Sequence, residues 1–329
     1  MDNKSLLSSP LKIDNLLRTN ITMKWKFENI PNLIGKTVIV TGGNSGIGYE
    51  ISRMSAAKGA SVIIATRNFE RGQKAVESIQ RMHPNTKIET IKLDLASLNS
   101  IESFVEDFKT KYSELHYLFN NAGIMAVPFS TTEDGFERQL GTNHLGHFAL
   151  TGRLLDYLIH TTETRVITVS SGAHRSGEIN FDDILMENDY SRFSAYSRSK
   201  FANIVFAYEL QRRFESNGIR SLSLATHPGL SRTNLAFQEN GMISFPLFKF
   251  VTKIIFGLMS QSAKMGSLPQ LYAAFSPDSK GGGYYGPGGF REIRGYPKEV
   301  KSIPTTYDTN IASKLWDISE ELTGVKYKF

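Results

Sequence analysis

The sequence predicts a single-domain α/β fold, in which a doubly wound parallel sheet of about seven strands carries helices on both faces. The first observation behind this prediction is that short β-rich runs alternate with longer helical segments from residue 36 onward. The second is that the loop TGGNSGIG directly follows the first run and opens the first helical segment. The third is that composition does not change abruptly anywhere in 36–290, so one continuous domain is expected.

The predicted strands are rich in β-branched and aromatic residues and lie at 36–41, 61–66, 87–95, 115–123, 165–171, 219–226 and 281–287. The predicted helices lie at 45–59, 69–82, about 97–112, roughly 133–160 and in a segment through Tyr196 that ends near 216. The last strand, GGGYYGP, is short and is expected at an edge of the sheet. Strands that alternate with helices of this length are typical of βαβ units.

The remaining segments define the expected domain limits. We expect an N-terminal arm at 1–30 and the single domain at 31–329. Loops at 174–192 and about 230–262 interrupt the alternation, and loops of this kind carry specificity. A C-terminal extension is expected at about 290–329, and its glycine-rich neighbour 281–289 matches no known chemistry.

Composition excludes several classes of function. The chain of 329 residues has no Cys, which excludes disulfides, thiol catalysis and Cys-ligated zinc. Its net charge of +6 is spread among interleaved acids and bases, so a nucleic-acid partner is not expected. No metal site is predicted either, because His144 and His147 lack the accompanying carboxylate of a metal motif.

The N-terminus has no continuous apolar run, so no secretory signal is expected and a cytoplasmic location is predicted. The most apolar segment, 242–259, contains Pro246, Lys249 and Lys253, and it falls short of a membrane span. It suits a lid over an apolar pocket, an ordinary buried helix or a contact with a membrane surface. Peripheral membrane association therefore stays open.

The glycine loop at 41–48 indicates a dinucleotide site. Gly42 permits a tight turn, Gly46 lets the backbone approach a pyrophosphate, and Gly48 lets the helix pack closely on the sheet. The phosphates would then lie at a helix N-terminus, where free N–H groups favour anions. The strand–turn–helix setting makes the pattern persuasive, and it predicts a Rossmann-type fold.

The end of the second predicted strand indicates which dinucleotide binds. An acidic residue there would accept hydrogen bonds from the adenosine ribose and select NAD. The sequence instead reads ATRN, with Thr66 and Arg67. Because a guanidinium pairs well with a phosphate, NADP(H) is the preferred cofactor, with NAD(H) as the alternative.

The stretch FSAYSRSK places Tyr196 and Lys200 one helical turn apart on one face. An ammonium close to a phenol favours the phenolate, so we expect Lys200 to lower the pKa of Tyr196. Such a phenol suits proton transfer near neutral pH.

Six ordered motifs resemble the short-chain dehydrogenase/reductase family: TGGNSGIG, NNAG, TNHLGHF, VSS, YSRSK and HPGLSRT. The resemblance covers 36 to about 235. The sequences ATRN, HLGHF and YSRSKFANIVFAYEL further resemble the retinol-dehydrogenase and WW-domain-oxidoreductase-like branch. That branch implies an oxidoreductase acting on CH–OH donors, with NADP(H) or NAD(H), and lipophilic alcohols, aldehydes and ketones such as retinoids and steroids as substrates.

The resemblance also implies residue roles. Tyr196 is the general acid/base, Lys200 its electrostatic partner and ribose ligand, and Ser171 a hydrogen-bond donor to the substrate oxygen. Asn143 holds a water in a proton relay that reaches Lys200. The implied cofactor contacts are Thr41, Gly42, Asn44, Ser45, Gly46, Ile47, Gly48, Arg67, Asp94, Leu95, Asn121, Ala122, Gly123, Tyr196, Lys200, Pro228, Gly229 and Thr233.

Two alternatives stay open. A dinucleotide-binding regulator without useful turnover would share the fold, although the intact set of Asn143, Ser171, Tyr196 and Lys200 favours an enzyme. Members of the family often dimerise through the helices that carry TNHLGHF and YSRSK, so a homodimer is an open alternative to a monomer.

Overall fold

A computed structural model describes residues 24–231 and 260–329 of the chain. Within these residues the centre is an eight-stranded sheet with the order β3-β2-β1-β4-β5-β6-β7-β8. All neighbouring strands are parallel except β7 and β8, which are antiparallel. The strands are β1 (Thr37–Thr41), β2 (Ser61–Thr66), β3 (Ile88–Lys92), β4 (Tyr117–Asn120), β5 (Arg165–Val169), β6 (Leu222–Thr226), β7 (Tyr284–Pro287) and β8 (Pro297–Glu299). The order reverses between β1 and β4, which is where open α/β sheets bind ligands.

The predicted doubly wound sheet is confirmed, with one strand more than expected. The strand predicted at 281–287 corresponds to β7, which lies inside the sheet and not at its edge. The strand at this edge of the sheet is β8, which has three residues and begins with a proline. Such a short segment has no alternating pattern that the sequence could reveal. Pairing ends where Pro287 faces Pro297, since neither residue has an N–H to donate.

Helices cover both faces of the sheet, as predicted. The helices are α1 (Gly46–Ala57), α2 (Phe69–Met82), α3 (Leu98–Lys111), α4 (Arg138–Leu140), α5 (Gly146–Arg153), α6 (Leu155–His160), α7 (Arg192–Ser216), α8 (Ala263–Gly266), α9 (Leu268–Phe275) and α10 (Thr309–Thr323). On β1, Val38 and Val40 face a core that includes α1, α2 and α9, whereas Ile39 faces a core that includes α3, α5 and α7. The two-residue period of the strand thus divides the interior into two layers.

The single long helix predicted at 133–160 is wrong. The chain forms α4, a π-helical turn at Gly141–Leu145, and then α5 and α6. Helix formation starts late because the Glu137 carboxylate accepts hydrogen bonds from the backbone N–H groups of Gln139 and Leu140, at 2.8 and 2.7 Å. The π turn, which inserts a residue into the helix, contains Asn143.

Three predicted strands extend past the observed ones at their carboxyl ends. The structure ends β3, β4 and β5 at Lys92, Asn120 and Val169, whereas the prediction extended them by two or three residues. The extra residues form loops at the carboxyl edge of the sheet. These loops carry most of the candidate site.

Both described ends of the chain pack on the domain. Trp25, Phe27 and Ile30, from the segment predicted as an arm, contact the core on the α1 side. Trp316 on α10 and Tyr327 near the C-terminus contact the core on the α3 side. Over the two described segments, no helix has the length and apolar character needed to cross a membrane. The predicted lid or membrane segment 242–259 lies outside the described residues.

Candidate functional site

The glycine loop after β1 has the geometry that the sequence predicts. Gly42 and Gly46 have φ angles of +65° and +55°, a region that residues with a Cβ rarely adopt. A Cβ on Gly48 would overlap the carbonyl oxygen of Gly42, so only glycine lets α1 approach the loop this closely. Ser45 precedes α1 without a side-chain capping bond, which leaves the first N–H groups of the helix available.

A cavity of about 740 Å³ opens along the carboxyl ends of the strands and includes this loop. Fifteen of the predicted cofactor residues line it: Gly42, Asn44, Ser45, Gly46, Ile47, Gly48, Arg67, Asp94, Leu95, Asn121, Ala122, Gly123, Tyr196, Lys200 and Pro228. Thr41 and Gly229 do not line it, and Thr233 lies outside the described residues. Residues far apart in sequence are therefore brought to one cavity.

Sequence reasoning missed two cations that line the same cavity. Arg71 and Lys74 on α2 join Arg67 there. Within the described segments, none of the three has an acidic ion-pair partner. Arg71 and Lys74 are three positions apart on α2, which is the periodicity of one helical face, and this spacing is the signal that could have identified them. The cavity therefore offers an anion three positive charges next to β2.

Thr41 supports the site without lining the cavity. Its hydroxyl accepts hydrogen bonds from the backbone N–H groups of Asn121 and Ala122, both at 2.9 Å. The same oxygen lies 2.9 Å from Nε2 of His147, whose Nδ1 lies 2.9 Å from the Asn143 carbonyl oxygen. Since that carbonyl can only accept, Nδ1 carries the proton and Nε2 is an acceptor. The single Thr41 hydroxyl proton then has two acceptors, His147 Nε2 and the Phe119 carbonyl oxygen at 3.1 Å. Thr41 thus joins β1 to the loop after β4 and to α5.

His147 and its neighbour His144 are buried side chains that stay uncharged at neutral pH. Burial lowers the pKa of His144 to about 3 and that of His147 to about 4. Nε2 of His144 lies 3.0 Å from the Ser319 hydroxyl on α10, so this residue joins α10 to the π turn. Among the described residues there is no group of three His, Asp or Glu side chains that could hold a metal ion.

Tyr196 and Lys200 lie side by side on α7 and are 9% and 4% exposed. The Lys200 ammonium donates to the Val169 carbonyl oxygen at 3.1 Å and lies 5.8 Å from the centroid of the Tyr196 ring. Burial lowers the pKa of Lys200 to about 8. Burial raises the pKa of Tyr196, and a hydrogen bond with the Ser171 hydroxyl only partly offsets this.

The expectation that Lys200 lowers the pKa of Tyr196 is therefore wrong for this structure. The loss of water around the phenol outweighs every other influence on it. Tyr196 is consequently a phenol that stays protonated at neutral pH. Such a group is suited to donating a proton.

Ser171 and Asn143 flank this pair but do not line the cavity. Ser171 Oγ accepts from the Ala173 N–H at 3.2 Å and hydrogen-bonds with Tyr196. The Asn143 amide clamps the backbone of Ile124, donating to its carbonyl at 3.0 Å and accepting from its N–H at 2.8 Å. A Cβ on Gly123 would lie 3.1 Å from Asn143 Oδ1, so the absence of a side chain lets the loop close on the amide.

Comparison with known proteins places this geometry among dehydrogenases. A family model described as short chain dehydrogenase matches residues 36–242. Retinol dehydrogenase 14 of Mus musculus is 37% identical over 304 residues, covering 88% of this chain and 86% of that protein. Polyprenol dehydrogenase of Homo sapiens is 38% identical over 295 residues, again covering 88% and 86%.

Solved structures share the fold. An uncharacterised protein from Mycobacterium paratuberculosis is 38% identical with a TM-score of 0.77, covering 93% of this chain and 100% of that one. A short chain dehydrogenase from Shigella flexneri complexed with NADP shares the fold, at 20% identity and a TM-score of 0.58, covering 76% and 96%.

Proposed function

Because the chain belongs to the short-chain dehydrogenase/reductase family of oxidoreductases, within its retinol-dehydrogenase-like branch, we propose that it uses NADP(H) to interconvert lipophilic carbonyls and alcohols. One observation carries the proposal. Tyr196 and Lys200 line the same cavity as the glycine loop and Arg67. A proton donor and an anion site therefore share one space. Residues 31–329 would form the catalytic unit.

The cavity fits a dinucleotide. Gly46, Ile47 and Gly48 at the start of α1 line the cavity, and the start of the helix has no side-chain cap, so its backbone N–H groups would suit a pyrophosphate. The Thr66 hydroxyl donates to Asn44 Oδ1 at 3.0 Å and so fixes the loop against the end of β2. Asp94 and Leu95 after β3 would contact the adenine.

The charges next to β2 favour NADP(H) over NAD(H). Arg67, Arg71 and Lys74 would surround a 2′-phosphate with positive charge. Asp94 is the only carboxylate among the described residues lining the cavity, and it follows β3 and not β2. No acid near β2 in this part of the chain is thus placed to accept both ribose hydroxyls, as an NAD site would require.

Tyr196 would supply the proton. Reduction of a carbonyl needs a hydride at carbon, which bound NADPH supplies, and a proton at oxygen. The raised pKa keeps the phenol protonated, and the hydrogen-bonded Ser171 hydroxyl would orient the substrate oxygen. Lys200 would bind the ribose and stabilise charge that develops on the phenol. The reverse reaction, alcohol oxidation, would require the phenolate.

Asn143 would hold the water of the proton relay that reaches Lys200. Its amide is fully engaged by the Ile124 backbone and the Ser199 hydroxyl. Its backbone carbonyl accepts from His147, and a carbonyl oxygen can accept a second hydrogen bond. A water that donates this second bond would carry a proton toward Lys200.

Two observations support a lipophilic substrate. The named relatives include retinol and polyprenol dehydrogenases. In addition, the Phe193 ring lies 6.4 Å from the Tyr196 ring, and the Phe129 ring lies 5.1 Å from that of Tyr190. Phe193 and Phe129 are 44% and 49% exposed, and Phe193 offers apolar surface beside the proton donor.

The proposal is tested by following NADPH consumption with a panel of lipophilic aldehydes and ketones, including retinal and a polyprenal. NADH replaces NADPH in parallel reactions, and alcohols with NADP⁺ test the reverse direction. We expect turnover with NADPH that exceeds turnover with NADH. Tight NADPH binding without turnover of any carbonyl or alcohol would instead identify a dinucleotide-binding regulator.

A further inference from the structure

The segment 288–295, named here the C-terminal latch, packs on the loop after β6 that contains Pro228 and Gly229. The Leu230 N–H donates to the Ile293 carbonyl at 2.8 Å. A Cβ on Gly229 would overlap that same carbonyl oxygen, so glycine is needed for the two segments to approach. The latch is thus a neighbour of the cavity, although it is about 60 residues further along the chain.

The backbone of the latch is strained at its centre. Arg291 and Glu292 have φ angles of 48° and 57°, the left-handed region that residues with a Cβ avoid. Two consecutive residues in this region persist only where surrounding contacts hold them, and such strain is concentrated at functional sites. The contacts that hold Glu292 are therefore informative.

Glu292 binds two side chains from different loops. Its carboxylate accepts from His227 Nε2 at 2.9 Å and from Arg175 Nη2 at 3.0 and 3.1 Å. The hydrogen bond from His227 is the largest influence on Glu292 and lowers its pKa, and the nearby Arg175 guanidinium lowers it further despite partial burial. The carboxylate is therefore charged at neutral pH.

The His227 ring connects Glu292 to the backbone of the Gly229 loop. The Gly229 N–H donates to His227 Nδ1 at 3.3 Å, so Nδ1 carries the lone pair and Nε2 carries the proton donated to Glu292. Glu292 thereby fixes the tautomer and orientation of the ring. The ring in turn fixes the Gly229 peptide.

Arg175 connects the same carboxylate to the loop that carries Ser171. Arg175 lies in the 3₁₀ turn Gly172–Ser176, in which His174 Nδ1 donates to the Ser171 carbonyl at 2.7 Å. The Tyr284 ring closes the arrangement, since its centroid lies 5.5 Å from that of His174 and 5.3 Å from that of His227. A continuous set of contacts therefore joins the Ser171 loop, the latch and the Gly229 loop.

We propose that Glu292 is a positioning residue that couples the Gly229 loop, on the nicotinamide side of the site, to the Ser171 loop, on the proton-transfer side. The inference rests on the proposed function, and on Pro228 and Gly229, which the family resemblance implies as cofactor contacts, holding the nicotinamide carboxamide. It predicts an effect confined to one half of the dinucleotide. Glu292 touches neither the glycine loop nor Arg67, so its loss should not change how tightly the adenosine half binds.

The test compares two ligands on the full chain by equilibrium binding: NADPH, and 2′-phospho-ADP-ribose, which lacks the nicotinamide. Glu292→Ala should weaken NADPH binding about ten-fold, since it removes a charge-assisted hydrogen bond, and leave 2′-phospho-ADP-ribose unchanged. Glu292→Gln should lose only about three-fold, because an amide oxygen still accepts from His227. Glu102→Ala is the matched control, as it removes a carboxylate paired with Arg153 at 2.8 Å on the remote helix α3.

The outcomes separate the two proposals. Equal weakening of both ligands by Glu292→Ala, or no weakening of either, would overturn the positioning role and leave the proposed function standing. A Glu292→Gln variant as weak as Glu292→Ala would also contradict it, because the hydrogen bond to His227 would then contribute nothing. Wild-type protein that binds neither ligand would overturn the proposed function and this inference with it.

Discussion

The ammonium nitrogen of Lys200 lies 5.8 Å from the centroid of the Tyr196 ring, and both side chains are almost fully withdrawn from water. Burial acts on the two groups in opposite directions, because it disfavours each charged form. It lowers the pKa of Lys200 and raises that of Tyr196. The pair therefore moves toward the neutral amine and the neutral phenol.

The first expected consequence concerns the titration of Tyr196. Because its pKa is raised, the phenol should ionise only above the ordinary value of 10.0. The measurement is the phenolate absorbance of the wild type minus that of Tyr196→Phe as pH increases. A midpoint below 10 in this difference would mean that the Lys200 charge, and not burial, controls the phenol.

The second expected consequence is that the buried charge of Lys200 destabilises the folded protein. Its pKa falls from 10.5 unfolded to about 8 folded, so between these values the unfolded chain binds more protons and stability increases with pH. Below pH 8 the buried charge costs at most about 3 kcal/mol. Lys200→Met should therefore raise the free energy of unfolding at pH 7 by about 1–2 kcal/mol while abolishing activity.

The gain in Lys200→Met should disappear near pH 10.5, where the unfolded lysine also loses its proton. The Val169 carbonyl keeps a partner in the variant, since Asn203 Nδ2 donates to it at 3.0 Å. Denaturant unfolding at the two pH values measures the effect. A variant less stable than the wild type at pH 7 would show that the ammonium stabilises the fold.

The third expected consequence is a preference for NADPH over NADH that depends on the arginines next to β2. Arg67→Ala and Arg71→Ala should each weaken NADPH binding about ten-fold and leave NADH nearly unchanged, because only NADPH has a phosphate to pair with a guanidinium. Arg81→Ala, at the exposed end of the same helix α2, is the matched control. Equal losses for the two dinucleotides would place the arginines away from the 2′-phosphate.

The sequence was sufficient to predict the parts of the site that depend on local structure. The glycine loop follows a strand and opens a helix within eight residues, and Tyr196 and Lys200 are one helical turn apart. Each of these patterns needs only short-range geometry to be interpreted. The alternation of strands and helices likewise predicted the sheet.

The parts that depend on contacts between distant segments could not be predicted. His227 and Glu292 are 65 positions apart, and nothing in either local sequence indicates their contact. The direction of the Tyr196 shift depends on how completely other segments exclude water from the phenol. The late start of α4 depends on the Glu137 carboxylate turning back onto the helix, which competes with a good helical pattern.

The most direct test of the account is the turnover of Tyr196→Phe beside its affinity for NADPH. We expect carbonyl reduction to fall by a factor of at least about 100, as for loss of a general acid, while NADPH affinity stays within about two-fold of the wild type. Tyr112→Phe is the matched control, because its hydroxyl donates to Glu89 and neither residue lines the cavity. A Tyr196→Phe variant that reduces carbonyls at the wild-type rate would contradict the assignment of Tyr196 as the proton donor.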